Sequence, residues 1–218
     1  MWIDKYDPMK YIQEKEGYIE ACGGDGTLIR AIHMHKDKNK PFFGIASGTM
    51  NFLMNKDLLP IEEATLHKFF LIEVNVKYME DNIIKEAKVN AFNDVIIGEF
   101  NGWIEFDCYD KDNILGKFNG AAILISTAQG STGANKNNHG TILPLSSKNW
   151  SITGVQTNRK VNYVIENKEL IIKSKARGNI KINVDGSYFE KSNVLEVSLR
   201  KGGTVKVIFN NIKEFFII

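Results

Sequence analysis

The chain has 218 residues, 43% of them apolar, with 28 basic and 26 acidic side chains and a net charge of +2. That is enough apolar material to bury a real core, so neither a disulfide scaffold nor a structural metal is required. The balanced charge excludes a polybasic nucleic-acid binder and an intrinsically disordered chain.

The first 16 residues are mixed and polar, with Met9, Tyr11 and Ile12 at a weak helical spacing. Residues 18–22 read as a short buried strand that runs directly into Gly23-Gly24-Asp25-Gly26-Thr27. Leu28, Ile29, Ala31, Ile32 and Met34 then fit a helix that starts near Asp25 or Thr27. The lysine-rich run 36–41 ends it, and residues 42–46 read as a second strand leading into a small-residue turn, Ser47-Gly48-Thr49. Strand, glycine turn, helix, strand is half of an open α/β sheet.

From about residue 69 the apolar period becomes two. The stretches 71–76, 88–97, 103–109, 168–173, 179–184, 194–199 and 205–209 read as short strands with Asn, Asp and Gly turns between them. This pattern predicts an antiparallel β-rich part. The expected fold is therefore an α/β N-terminal domain over 1–68 followed by a β-rich domain over 69–205. Residues 206–218 are apolar enough to pack back as a closing segment.

Four places carry chemistry. In Gly23-Gly24-Asp25-Gly26-Thr27, the glycines let the backbone approach a ligand, and the following helix N-terminus offers N–H groups and a favourable dipole to phosphate. A carboxylate beside phosphates is repelled unless it meets a metal or takes a proton, so Asp25 suits a Mg²⁺-linked group or a base. A plain turn is the alternative. Neither a GxGxxG nor a GxxxxGK[ST] spacing is present. Asn93-Asp94 interrupts an apolar strand; buried, these side chains need partners such as ligand hydroxyls, unless they mark a bulge or turn. Ser126-Thr127-Ala128-Gln129-Gly130-Ser131-Thr132-Gly133-Ala134 is an uncharged hydroxyl-rich loop after a buried strand, able to press against a flat ligand or to be merely flexible. Asp185-Gly186 is first a favoured hairpin turn.

Other residue types say less. Asparagine, isoleucine and lysine are abundant, a compositional habit more than chemistry. The four arginines, Arg30, Arg159, Arg177 and Arg200, are candidates for anion contacts, though surface positions suit most of them. Cys22 and Cys108 are in no CxxC pair, so no zinc or redox motif is expected, and a reducing, cytoplasmic compartment is. His33 and His35 face different sides of one helix, and no HExxH or nucleophile elbow occurs, so no metal ligands are assigned. The start has no apolar signal segment, and the longest uncharged stretch, 118–135, is too rich in glycine, hydroxyl and amide groups for a bilayer.

In order and spacing these four motifs resemble the NAD kinase family, within the group that includes diacylglycerol and sphingoid lipid kinases. Gly23–Thr27 is similar to that group's GGDGT phosphate loop. Phe92-Asn93-Asp94-Val95-Ile96 resembles the family's Asn-Glu motif, with Asp for Glu. Residues 127–132 resemble its TPTGST loop, and Asp185-Gly186 falls where it has a late Asp-Gly. The resemblance spans roughly residues 18–200. It implies an NAD kinase-like fold with the site between two parts, ATP and Mg²⁺ as cofactors, and phosphorylation of the adenosine 2′-hydroxyl of NAD. It implies Asp25 as the catalytic residue and Gly23, Gly24, Gly26, Thr27 and Gly48 at phosphate. It implies Asn93 and Asp94 on the ribose, Thr127, Ser131 and Thr132 along the base pocket, and Asp185 near the acceptor. It also implies a homo-oligomer, a dimer or tetramer, with no nucleic-acid or membrane partner.

The chain also departs from the family. Gly133-Ala134 stands where the family has Ala-Tyr, Asn119-Gly120-Ala121-Ala122 where it often has Arg-Gly-Asp-Gly, and Ala46 where its second turn has Asn. Gly48-Thr49-Met50-Asn51 resembles the Gly-Thr-x-Asn of lipid kinases. Only 22 residues precede the phosphate loop, which reads as an N-terminal domain shortened by about one strand–helix unit. Two alternatives therefore stay open: a non-catalytic protein binding NAD or another nucleotide, and a kinase of this fold with another nucleoside or a lipid acceptor.

Overall fold

The computed structural model describes residues 11–47, 51–56, 64–98, 102–174 and 179–210. Compactness divides the chain into two units: Met1–Phe69 with Thr204–Glu214, and Phe70–Gly203 with Phe215–Ile218.

The first unit is built around a short parallel sheet. Strand β1 (Ile12–Glu14) lies antiparallel to β2 (Ile19–Gly23), where helical spacing had been expected. Three residues are too few for a helix, and pairing with β2 satisfies their main chain instead. Helix α1 (Asp25–His35) follows β2 and buries Leu28, Ala31 and Ile32, the i, i+3, i+4 stripe of an amphipathic helix. A 3₁₀ turn (Lys36–Lys38) leads to β3 (Phe42–Ala46), which runs parallel to β2 with Ile19 opposite Phe42 and Gly23 opposite Ala46. The end of a late strand completes this sheet, with Val207 opposite Phe42 in parallel. Asn55 clips the layer together: its Nδ2 donates to the carbonyls of Gly44 and Ile208, and its Oδ1 accepts the Asn210 N–H.

The second unit holds two antiparallel arrays. In the first, β4 (Thr65–Glu80) forms a hairpin with β5 (Ile83–Ala91), and β12 (Glu169–Ser174) lies between β15 (Val194–Phe209) and β7 (Ile104–Asp110), with β8 (Asn113–Gly120) beyond β7. The second array runs in the order β11 (Asn162–Glu166), β10 (Asn149–Val155), β9 (Ala122–Ser126), β6 (Asp94–Gly98), β13 (Asn179–Val184) and β14 (Ser187–Ser192). Their inner faces share one core, including Val74, Val76, Val95, Ile97, Phe106, Ile123, Ile125, Ile152, Leu170 and Val197. Alternation sorts β4 cleanly: Ile72, Val74 and Val76 point in, while Glu73, Asn75 and Lys77 point out. Every residue of β9 is buried, as its central place requires.

Two sequence expectations change here. The run 88–97 is two strands, β5 and β6, broken at Phe92 and Asn93. The stretches 194–199 and 205–209 are one strand, β15, continuous through Gly202 and Gly203. A Cβ at Gly202 would stand 3.0 Å from the Glu73 amide nitrogen, so glycine there reflects a close main-chain neighbour and not a turn. Of the segment 206–218, residues 206–209 therefore belong to β15, and 211–218 lie outside the described residues. No helix among the described residues is long and apolar enough to cross a membrane.

Candidate functional site

In the first unit the glycine motif sits where β2 passes into α1. Gly24 is the N-cap, in an extended conformation, and no side chain caps the helix. The Gly24 carbonyl accepts the Thr27 N–H at 2.9 Å and the Leu28 N–H at 3.4 Å. The amides of Asp25 and Gly26 thus precede the first helical bonds, as orphan donors at a helix N-terminus do. The three glycines differ in why they are there. A Cβ at Gly23 would lie 2.4 Å from Thr27 Oγ1, whereas one at Gly26 would meet nothing within 4 Å. Gly26 is exposed in the first helical turn, where glycine costs about 1 kcal/mol relative to alanine. Packing does not account for it.

Asp25 is half-buried, and its carboxylate is engaged. Oδ1 accepts the Phe52 and Leu53 N–H groups at 3.1 and 3.0 Å, and Oδ2 accepts Phe52 at 3.0 Å. The aspartate thus joins the helix start to the segment after the second turn. Gly48, in that turn, lies outside the described residues.

In the second unit, Asn93, Asp94, residues 127–132 and Asp185 come together. The 92–94 segment is a sharp turn between β5 and β6. The Asp185 carboxylate accepts three consecutive main-chain N–H groups: Phe92 at 2.6 Å, Asn93 at 2.7 Å and Asp94 at 3.0 Å. The Asp185 N–H in turn donates to the Asp94 carbonyl at 3.1 Å. Asp185 (φ 50°) and Gly186 (φ 86°) form the tight turn between β13 and β14, with the Gly186 N–H on Asn183 Oδ1. The hairpin reading of Asp185-Gly186 holds, and the same turn lies against the 92–94 segment.

The hydroxyl-rich loop closes on the same turn. The Thr127 hydroxyl lies 2.9 Å from both the Phe92 and Asn93 carbonyls and accepts the Gly130 N–H. The Thr127 N–H donates to the Asn93 carbonyl, and Gln129 Nε2 to the Phe92 carbonyl at 2.6 Å. A Cβ at Gly130 would sit 2.3 Å from the Asn93 carbonyl oxygen. Ser131 is fully buried, its hydroxyl donating to Ala128 and accepting the Leu143 N–H. Thr127 and Ser131, expected to line a base pocket, therefore have their hydroxyls engaged by main-chain groups of this loop, of the 92–93 turn and of Leu143. Thr132 is half-buried, and Gly133 and Ala134 begin a four-residue helix, α2 (Ala134–Asn137).

Two features leave capacity for a ligand. Asn93 Oδ1 is buried with no hydrogen-bond partner, an arrangement that costs free energy until a donor arrives. Burial, and then the charge of Asp185, push the Asp94 carboxyl up to about 7. A carboxyl held there, beside an orphan amide oxygen, suits hydroxyl recognition. Among the described residues no group of three His, Cys, Asp or Glu side chains is arranged to hold a metal ion.

Sequence reasoning gave Gln129 and Gly130 no role of their own within the loop and did not single out Asn135. Asn135 is fully buried, donating to the Ser131 and Thr141 carbonyls and accepting the Ser151 hydroxyl. The only signal for these residues was the length of the uncharged run that contains them. Of the four arginines, Arg200 is paired with Glu169, Arg30 and Arg159 are exposed, and Arg177 lies outside the described residues.

No family model matches the chain. An NAD kinase of Fusobacterium nucleatum is 28% identical over 95% of this chain and 81% of its own length. One of Chloroherpeton thalassium is 25% identical over 95% of this chain and 77% of its own. One of Lachnospira eligens is 31% identical over 58% of this chain, and that match spans 46% of the relative's length. Among solved structures, yeast NADH kinase complexed with NADH superposes with a TM-score of 0.73 at 18% identity, over 87% of this chain and 60% of that one. That likeness carries the fold: the α/β and antiparallel β-rich organisation expected from the sequence is an NAD kinase-like one.

Proposed function

We propose that the chain is a member of the NAD kinase family, which its similarity to curated NAD kinases supports, and that it transfers the γ-phosphoryl group of ATP to the adenosine 2′-hydroxyl of NAD. The observation that carries this reading is the uncapped start of α1, where Gly26 is exposed with open space around it and Asp25 stands beside it. Main-chain N–H groups at that end would hold phosphate. The Asp25 carboxylate would take the proton of the attacking 2′-hydroxyl as the new O–P bond forms and the bond from the γ-phosphorus to the bridging oxygen breaks, releasing ADP. Phosphoryl transfer is mostly positioning and charge stabilisation, so a short list of side chains suffices.

Asn93 and Asp94 support the acceptor half of the reading. The buried Asn93 oxygen needs a donor, and a ribose hydroxyl supplies one. A magnesium ion bound with ATP keeps several waters and is held largely by the phosphates, so it would need no dedicated cage of protein ligands. When bound it would neutralise phosphate charge.

The test is mass spectrometry of the pure protein with Mg²⁺, ATP and NAD. A gain of one phosphate on NAD is expected. A panel of other nucleosides and lipid head groups reads the acceptor, and phosphorylation of one of these instead would overturn the NAD assignment. A second reading, nucleotide binding without transfer, is favoured by the three main-chain contacts already made by the Asp25 carboxylate. A thermal shift with NAD or ATP and no NADP would select it.

A further inference from the structure

The turn that carries Asn93 and Asp94 is built from outside itself. All three of its N–H groups end on one carboxylate, that of Asp185. Its first two carbonyls end on Thr127 and Gln129, and its third on the Asp185 N–H. Every main-chain polar group of the three residues is thus accounted for by two segments distant in sequence. Three N–H bonds to one ionised acceptor are charge-assisted, and such bonds are roughly twice as strong as neutral ones. Nothing within the turn's own sequence would hold Asn93 with its side-chain oxygen buried and unpartnered.

We propose that Asp185 is a positioning residue: by binding the N–H groups of Phe92, Asn93 and Asp94 it sets the turn that presents Asn93 and Asp94 to an acceptor's hydroxyls. This rests on the reading above that the site takes a nucleotide hydroxyl. It differs from a role at the acceptor itself, because the carboxylate works through main chain. The loop acts on the same turn from the other side, since Gly130 leaves no room for a Cβ against the Asn93 carbonyl.

The geometry also couples the two acids. The Asp185 charge that fixes the turn is one of the two causes that raise Asp94, burial being the larger. Removing that charge loosens the turn and lets Asp94 ionise at lower pH. A residue that merely held the fold would do neither selectively.

The test is hydrogen exchange and ligand titration on the full chain carrying Asp185→Asn. Amides of residues 92–94 are expected to exchange at least about tenfold faster, the factor that 1.4 kcal/mol gives, while β10 amides stay protected. NAD affinity is expected to fall about tenfold or more with ATP affinity within about twofold, and the pH midpoint of NAD binding is expected to move down. Unchanged exchange at 92–94 overturns the proposal whatever the wild type binds. Equal losses for NAD and ATP overturn it as well. Failure of the wild type to bind NAD sinks the functional reading, and the exchange result still decides the role of Asp185. If Asp185→Asn does not fold, Gly130→Ala displaces the same turn and must weaken NAD selectively; retained NAD affinity in a folded Gly130→Ala overturns the proposal.

Discussion

Asp94 stands in surroundings far from its ordinary chemistry. Its carboxyl is raised from 3.8 to about 7 by burial and by Asp185. The native state therefore holds a proton that the unfolded chain has released between about pH 4 and pH 7. Stability from this group is fully present below the lower value and is lost as pH rises through the upper one. We expect Asp94→Asn to remove that slope and to raise stability above pH 7 by about 2–4 kcal/mol, read by urea unfolding across pH. A variant with the wild-type slope would refute the assignment. Asp25 calls for a different experiment. Asp25→Asn keeps the size and one acceptor, so we expect a folded protein whose phosphoryl transfer falls about 10²–10⁴-fold. Retained turnover would remove Asp25 from the chemistry. Gly26 separates fold from function: Gly26→Ala should be neutral or up to about 1 kcal/mol stabilising, because it sits in a helix with open space, yet should weaken ATP binding. Unimpaired ATP binding in that variant would mean no phosphate approaches there.

At the scale of elements, asparagine does work that composition hides. Asn55 joins β3, the end of β15 and Asn210 through three side-chain bonds. Asn135 and Asn138 do the same for the 131–154 region, with Asn138 Nδ2 on Thr153 Oγ1 and the Gly154 carbonyl. An amide carries two donors and an acceptor on a short stem, so it replaces main-chain partners where strands end. Asn55→Ala removes all three of these buried side-chain bonds, and we expect a loss of about 2–4 kcal/mol in chemical denaturation. A loss under about 0.5 kcal/mol, the size of an ordinary surface change, would show the clip to be redundant. Strand type was legible where alternation was strict, as in β4 and β12. Strand breaks were not: nothing in 88–97 marks a corner except the polar pair itself, and a corner costs no apolar residue.

For the whole molecule, the near-zero charge bears on how anions are bound. With a net charge of +2 and lysines spread over the chain, an anion site at α1 would draw on main-chain N–H groups. Such donors are fixed and lie close to the ligand, so salt screens them less than distant lysines. Raising the salt from 0.1 M to 0.5 M should therefore weaken ATP binding by less than about tenfold. A steeper fall would point to lysine side chains instead.

The sequence by itself determined the glycine turn and its helix, the change of period near residue 69, and the order of the four motifs. Each of these is local: propensity, period and turn chemistry act over a few residues. Only the tertiary structure decided what each polar group is for. It engaged Asp25 with Phe52 and Leu53, turned Thr127 and Ser131 inward, and brought Asp185 across 91 residues onto Asp94. A hydrogen bond between distant segments depends on where strands meet, and sheet pairing is settled by shared burial, which no short window of sequence records.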